Sequence, residues 1–284
     1  MADDKPLRNV FILANPERVE VQQALAEIRA IADGPSRVVG VECSLDGQVA
    51  LKAGADRIIV VGGDGTLLGV GRTLGADQRP LIGVNFGKLG FLAEFTVDEL
   101  REHFDRAAYD DSLVEHRTIL DVEVQRAGRT TFRSLSINDC VIQAGPPYRL
   151  ISLSVAIDGE HLTEISGDGL IVCTPSGSTA HNLSAGGPIV QAGVQAIVLT
   201  PLCAHSLTHR PMVIERNSTI TVTAAAVNAG TTAIIDGQVL HTLEPGDRVN
   251  ISTHESAFQV VHNPSHPKWH KLVTKLGWGR YPET

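Results

Sequence analysis

The chain has 284 residues, of which 43% are apolar and 20% are charged, a composition typical of a globular protein with room for two domains. Its net charge is −8 and no Lys/Arg-rich run occurs, so a nucleic-acid-binding protein is not expected. Because this charge repels anionic nucleotides, a phosphate site would have to depend on backbone N–H groups, a few cations and Mg²⁺.

The N-terminus is polar and no apolar run reaches membrane-spanning length, so neither a signal peptide nor a membrane partner is predicted. The four cysteines are far apart, lie beside apolar residues and form no CxxC pair: Cys43, Cys140, Cys173 and Cys203. This pattern predicts buried thiols in a reducing compartment rather than disulfides or zinc. We therefore predict a cytoplasmic location.

The first 115 residues alternate between apolar strands and amphipathic helices. Strands are predicted over residues 8–14, 38–43, 57–61 and 81–84, with helices after Pro16 and over residues 48–54 and 67–74. A further helix extends from Thr96, a predicted N-cap with Glu99 in the capping-box position, to about residue 108. The alternation predicts a Rossmann-like α/β domain with a parallel sheet covered on both faces.

The pattern changes near residue 115. From Ile119 onward, short β-branched runs follow one another between turn residues, and Asp158-Gly159 predicts a type I′ hairpin. Only residues 178–196 predict a helix in this half, which indicates a β-sandwich-like domain. The predicted divisions of the chain are residues 1–115, 116–263 and a tail, 264–284.

The loop Gly62-Gly63-Asp64-Gly65-Thr66 joins a buried predicted strand directly to a helix. Ligands bind at the carboxyl ends of strands in open α/β sheets, helix N-termini attract anions, and glycines let phosphate approach the backbone. A carboxylate here suits a base that accepts a proton from an attacking hydroxyl, or a ligand of Mg²⁺ carried by phosphates. Local spacing alone leaves it equally open that Asp64 and Thr66 merely cap the helix.

Competing phosphate-binding motifs are missing from the sequence. There is no GxxxxGK[ST] loop, no GxGxxG after the first strand and no HRD or DFG set of the protein kinases.

The 62–66 loop resembles the signature shared by NAD kinases, phosphofructokinases and diacylglycerol/sphingosine-type lipid kinases. Further segments resemble NAD kinases in particular, in the expected order over most of residues 57–279: Gly83-Val84-Asn85, Gly87-Lys88-Leu89-Gly90-Phe91-Leu92, Asn138-Asp139, Gly167-Asp168-Gly169-Leu170, residues 174–180 and 184–188, Pro201-Leu202-Cys203, His205-Ser206-Leu207, Arg210-Pro211, Asp236-Gly237-Gln238 and Lys275-Leu276-Gly277-Trp278-Gly279.

This resemblance implies transfer of a phosphoryl group from ATP, or from polyphosphate in some members, to the 2′-hydroxyl of the adenosine ribose of NAD. It implies an α/β domain followed by a β-sandwich domain, with residues 264–284 returning to the first domain. It also implies a homodimer or homotetramer whose NAD site draws on a neighbouring subunit. No metal-ligand constellation is visible in the sequence, so Mg²⁺ is expected to arrive with the donor phosphates.

By the same resemblance, Asp64 is the general base, Asn138 contacts the adenine edge and Asp139 a ribose hydroxyl. Asp168 corresponds to a contact of the nicotinamide end. The other residues implied at the site are Gly63, Gly65, Thr66, Phe91, Ser176, Thr179, Ala180, His181, Ser184 and Asp236. His181 stands where a Tyr is usual, and Lys88 could either meet phosphate or be solvated.

Two alternatives remain open: another kinase with the same loop, acting on a lipid or sugar phosphate, and a non-catalytic NAD(P)-binding protein. The 138–139 pair and the 174–188 segment argue against the first, and Asp64 against the second. His254, His262, His266 and His270 are predicted to be surface residues rather than metal ligands, since Pro264 and Pro267 interrupt the last three and no partnering Cys or acidic cluster appears in the sequence.

Overall fold

A computed structural model describes residues 6–15, 19–86, 90–267 and 269–277. The chain divides into two compact units, one comprising Met1–Leu74, Arg79–Glu115 and Gln259–Thr284 and the other Gly75–Gln78 and His116–Phe258. The first is an α/β unit and the second is all-β, which confirms the predicted fold class. Pro16, Lys88 and Trp278 lie outside the described residues.

The α/β unit is built on a sheet with the strand order β2-β1-β3-β4-β18-β5. The pairings of β1 with β2 and β3, of β3 with β4 and of β4 with β18 are parallel. The elements are β1 (Asn9–Ala14), α1 (Val19–Ala32), β2 (Arg37–Glu42), α2 (Gln48–Lys52), β3 (Arg57–Val61), α3 (Asp64–Leu74), β4 (Leu81–Val84), α4 (Val97–Tyr109), a 3₁₀ turn (Asp111–Leu113), β5 (Val114–Arg117), β18 (Phe258–Val261) and α6 (His270–Leu276).

The predicted strands of this unit form because their apolar runs are covered on both faces. Every residue of β3 and β4 is buried, as expected for central parallel strands. The predicted capping box of α4 is confirmed: Thr96 Oγ1 accepts from the N–H of Glu99, whose carboxylate accepts from the N–H of Thr96. Helix α3 begins at Asp64, three residues before its predicted start, so its N-terminus lies within the 62–66 loop.

The all-β unit contains two antiparallel sheets, β10-β9-β14-β17-β6-β7 and β13-β12-β11-β8-β15-β16. Their elements are β6 (Leu120–Arg126), β7 (Arg129–Ser136), β8 (Asp139–Gln143), β9 (Ile151–Ile157), β10 (Glu160–Gly167), β11 (Gly169–Cys173), a 3₁₀ turn (Gly177–Thr179), α5 (His181–Ser184), β12 (Ala196–Leu202), β13 (Met212–Glu215), β14 (Ile220–Ala226), β15 (Thr232–Ile235), β16 (Val239–Thr242) and β17 (Arg248–Thr253).

The two sheets form a sandwich around one apolar core. Alternate residues of β6, β9 and β14 are buried, and they share a cluster with residues of β8, β11 and β15 from the other sheet. The predicted hairpin is confirmed, because β9 and β10 are joined by Asp158 and Gly159 with φ of 52° and 83°, both positive as a type I′ turn requires.

Two predictions about local structure are wrong. The helix predicted over 178–196 is reduced to the four residues of α5, because Gly186, with φ of 81°, and Pro188 end the helical conformation. Cys43 and Cys203 are exposed, although Cys140 and Cys173 are buried as predicted. Cys43 follows the edge strand β2 and Cys203 lies in a turn after β12, so apolar neighbours did not make these two sites interior.

None of the helices in the described part of the chain is both long and apolar enough to cross a membrane.

Candidate active site

Asp64 lies at the carboxyl end of β3 as the first residue of α3. Its carboxylate accepts three backbone hydrogen bonds, from the N–H of Phe91 at 2.7 Å and from those of Leu92 and Ala93 at 3.0 Å each. The carboxylate therefore connects the 62–66 loop to the segment after β4.

The backbone around Asp64 leaves no room for larger residues. A Cβ added to Gly90 would lie 1.6 Å from Asp64 Oδ1, and one added to Gly62 would lie 2.4 Å from Thr66 Oγ1. Gly62 has the only positive φ among the three glycines of the loop, at 158°. Gly62 and Gly90 are required because side chains approach their Cα atoms closely, whereas a Cβ on Gly63 would meet no atom within 4 Å.

The three N–H donors fix the orientation of the carboxylate but do not saturate it. An ionised carboxylate offers about four acceptor positions, so roughly one remains for a further donor. Asp64 is half-buried, while Gly65 beside it is exposed. The group is oriented and keeps one acceptor position, which is what a general base for a hydroxyl needs.

A cation lies close to this carboxylate. The ammonium of Lys275, on α6, lies over the ring of Phe91 at 5.4 Å from its centroid, while the backbone N–H of Phe91 donates to Asp64. Partial burial lowers the pKa of Lys275, and the charge of Asp64 acts in the opposite direction. The sequence motif around Lys275 was recognised, but no role was predicted for this side chain.

In the all-β unit, Asp236 organises the turn that precedes β8. Its Oδ1 accepts from Ser136 Oγ at 2.8 Å and from the N–H groups of Asn138 at 2.8 Å, Ile137 at 3.1 Å and Asp139 at 3.2 Å. Asp236 itself has φ of 50°, in the turn between the paired strands β15 and β16. This buried carboxylate holds the 136–139 backbone in place, a role that the sequence did not reveal.

Two polar side chains around that turn lack hydrogen-bond partners among the described residues. They are the carboxylate of Asp139, which is only 4% exposed, and the fully buried hydroxyl of Ser176. Asn138, between Ile137 and Asp139, is half-buried. Buried polar groups without partners point to a ligand, and these two supply a carboxylate and a hydroxyl beside the amide of Asn138.

Asp139 has an unusual proton affinity. Burial, with the nearby charge of Asp236, raises the pKa of its carboxyl to about 7. Burial likewise raises the pKa of the Cys140 and Cys173 thiols, which remain protonated near it. Asp139 is therefore the strongly perturbed acid of this unit, as is typical of binding and catalytic sites.

The 174–184 segment lies against the same turn. Thr174 Oγ1 donates to the carbonyl of Ile137 at 2.6 Å, and a Cβ on Gly177 would lie 2.1 Å from the carbonyl oxygen of Asn138. Ser178 is fully buried; its hydroxyl hydrogen-bonds the carbonyl of Pro175 and the backbone of Val190. Thr179 and Ala180 are half-buried in the turn that leads to α5, whereas His181 and Ser184 are exposed on it.

Asp168 lies apart from this group. It precedes β11, whereas Asp139 pairs with Cys173 at the other end of that strand. At about 3.3 Å per residue, the five residues of β11 separate the two ends by roughly 17 Å. Asp168 contacts the side chain of Cys203 instead.

Two of the four histidines predicted to lie on the surface are half-buried and contact glutamates in the α/β unit. His262 Nδ1 lies 2.8 Å from Glu94 Oε2, and His266 Nε2 lies 2.9 Å from Glu99 Oε1. The His262 contact has the distance of an ion pair but not the direction of a hydrogen bond. Within the described ranges, no cluster of three or more His, Cys, Asp or Glu side chains could hold a metal ion.

The sequence matches two family descriptions. Residues 10–112 match the ATP-NAD kinase N-terminal domain and residues 137–263 the ATP-NAD kinase C-terminal domain. Among curated relatives, the chain is 33% identical to an NAD kinase of Rhodopirellula baltica over 95% of this chain and 86% of the relative. It is 40% identical to an NAD kinase of Geotalea daltonii over 79% of each.

Solved structures resemble this fold along most of its length. Yeast NADH kinase complexed with NADH has a TM-score of 0.87 at 25% identity, over 99% of this chain and 90% of that one. An NAD kinase from Archaeoglobus fulgidus in complex with ATP shares the fold with a TM-score of 0.73 at 22% identity, over 90% of this chain and 94% of that one.

Proposed function

The chain belongs to the NAD kinase family, and from that premise we propose that it transfers the γ-phosphoryl group of ATP to the 2′-hydroxyl of the adenosine ribose of NAD. The chain is an enzyme of this type, and its product is NADP. The proposal depends most on one observation: Asp64 is oriented by three N–H donors at the end of β3, with one acceptor position left.

We propose that Asp64 acts as the general base. The ribose 2′-oxygen forms a bond to the γ-phosphorus while the bond from that phosphorus to the β-bridging oxygen breaks, and ADP leaves. The proton of the hydroxyl passes to the remaining acceptor position of Asp64. The N–H groups of residues 91–93 keep the carboxylate aimed during this step, so little reorganisation is needed.

We propose that Asn138, Asp139 and Ser176 bind the adenosine part of NAD. The missing partners of Asp139 and Ser176 support this assignment, since a carboxylate accepts from a ribose diol and the amide of Asn138 beside them suits an adenine edge. Thr179, Ala180, His181 and Ser184 extend the same segment. Asp236 serves indirectly, because its carboxylate is occupied by the backbone of residues 137–139.

We propose that the donor is ATP with its bound Mg²⁺, received near Gly63, Gly65 and Thr66 at the N-terminus of α3. Helix N-termini attract phosphates, which supports this location. The described residues provide no cage of carboxylates for a resident metal, so we treat Mg²⁺ as part of the donor complex. A donor of the polyphosphate class remains an alternative that a comparison of the two donors would separate.

We further propose that the enzyme is a cytoplasmic homodimer or homotetramer in which Asp168 serves the NAD site of a neighbouring subunit. The separation of Asp168 from Asp139 along β11 supports this division of roles. Mixing Asp64→Asn and Asp168→Asn subunits tests it, because hybrid assemblies would contain a site with both residues intact. Activity above the sum of the two separate variants supports the proposal, and strictly additive activity of mixed assemblies contradicts it.

The assay of function offers the purified protein ATP and Mg²⁺ with NAD, diacylglycerol, sphingosine or fructose 6-phosphate. NADP is measured with an NADP-specific dehydrogenase and ADP with a coupled assay. NADP formed in equal amount to ADP, with no ADP from the other acceptors, is expected. ADP released only with a lipid or sugar would support the alternative kinases, and NAD binding without turnover would support a binding protein.

A further inference from the structure

We propose that Lys275 binds the phosphate chain of the donor beside Asp64. This inference rests on the proposed function and adds a binding residue to it, in the C-terminal motif to which no role was attached.

The first support is the position of the ammonium. Lys275 Nζ lies 5.4 Å from the centre of the Phe91 ring, and the backbone N–H of that same residue donates to Asp64 Oδ2 at 2.7 Å. One residue thus holds the cation with its ring and the carboxylate with its backbone. The cation is placed at the carboxyl end of β3, where the phosphoryl group is transferred in the proposed reaction.

The second support is that the cation has not been neutralised. No carboxylate among the described residues lies within ion-pair distance of Lys275, and its interaction with Asp64 acts only at longer range. A cation–π contact orients an ammonium while leaving its N–H donors free for another acceptor. The side chain is exposed, so a ligand in solution can reach it.

The third support is a requirement of charge. Asp64 presents a negative group to a strongly anionic donor, and the chain as a whole carries a net charge of −8. A local cation must offset this repulsion if the donor is to bind. Lys275 supplies that positive charge close to Asp64. The two groups do not form a salt bridge, which would neutralise both charges.

The test replaces Lys275 with Met, which retains an unbranched apolar side chain and removes the charge. Lys275→Met is expected to raise the KM for ATP, and the inhibition constant of inorganic tripolyphosphate, by about tenfold to a hundredfold, as expected for one charge-assisted hydrogen bond. The KM for NAD should change less than threefold. Lys275→Arg should recover most of the affinity, whereas a purely structural role would not depend on the charge.

Lys52→Met is the matched control, since Lys52 is an exposed lysine of α2 in the same unit. Its kinetic constants should equal those of the unaltered enzyme. A Lys275→Met variant that makes NADP with unchanged KM for ATP and unchanged inhibition by tripolyphosphate would overturn the proposal. Failure of the unaltered enzyme to make NADP would instead refute the proposed function.

A measurement on the unaltered protein covers the case in which Lys275→Met does not fold. Lysines are acetylated with a limiting reagent, with and without tripolyphosphate, and the modified peptides are quantified by mass spectrometry. Tripolyphosphate should protect Lys275 at least fivefold and leave Lys52 unchanged. Equal modification of Lys275 in both samples contradicts phosphate binding at this residue.

Discussion

The carboxyl group of Asp139 should destabilise the folded protein when it is ionised. Its pKa is raised from 3.8 to about 7, first by burial and then by the charge of Asp236. A pKa raised on folding means that the folded state binds the proton more tightly than the unfolded chain. The destabilisation is therefore absent below about pH 4, grows between about pH 4 and pH 7, and is complete above that range. At about 1.4 kcal/mol per pKa unit, it reaches at most about 4 kcal/mol.

Asp139→Asn keeps the size of the side chain and removes this ionisation. The variant should be more stable than the unaltered protein by about 1–2 kcal/mol at pH 5 and by about 3–4 kcal/mol at pH 8. Urea unfolding followed by circular dichroism at both pH values measures the difference. The same variant should bind NAD at least tenfold more weakly, because the proposed acceptor for a ribose hydroxyl is lost.

Glu160→Gln is the control, because Glu160 is an exposed carboxylate of β10 in the same unit. It should show no stability difference between pH 5 and 8 beyond that of the unaltered protein. If Asp139→Asn gains no stability at pH 8 relative to pH 5, the carboxyl is not buried and unpartnered as described, and the case for a ligand at this turn is lost.

Three further predictions concern groups that hold the site in place. Asp236→Ala removes the acceptor of one hydroxyl and three N–H groups and should cost about 3–5 kcal/mol of stability by urea unfolding, whereas Ser136→Ala should cost about 1 kcal/mol. Gly90→Ala should lower kcat for NADP formation at least tenfold in a steady-state assay, because its Cβ displaces the Asp64 carboxylate. The Glu94 carboxylate raises the pKa of His262, so the contact stabilises the folded state when the imidazole is protonated. His262→Gln should therefore lower the free energy of unfolding by about 1 kcal/mol below pH 6, and by progressively less as the pH rises through the raised pKa. Equal destabilisation of the variant at pH 5.5 and 8.5, measured by thermal unfolding, would contradict this.

Local sequence patterns predicted the position of Asp64 because the residues that indicate it lie close together in the chain. The apolar run of β3, the glycines of the 62–66 loop and Asp64 occur within ten residues, and each has a direct structural meaning. The start of α4 was predicted for the same reason, since Thr96 and Glu99 form a capping box three residues apart. The Asn138-Asp139 pair was also visible as a polar interruption of an apolar run.

The groups that position the site could not be predicted in this way. Asp236 holds a turn about 100 residues earlier in the chain, and Lys275 meets Phe91 from the opposite end of the sequence. The two sides of each contact carry no shared local pattern, so only the fold brings them together. The exposure of Cys43 has a similar cause, because whether a strand such as β2 lies at an edge is decided by pairing and not by its own residues.

The most direct test of the central claim compares the unaltered enzyme with Asp64→Asn at saturating NAD and ATP. The amide keeps the size of the side chain but cannot accept the proton of the ribose hydroxyl at neutral pH. NADP formation should fall at least a hundredfold, while the dissociation constant for NAD changes less than threefold and the thermal unfolding temperature shows a folded protein. A folded Asp64→Asn enzyme that retains more than about a third of the original kcat would contradict the assignment of this carboxylate as the base.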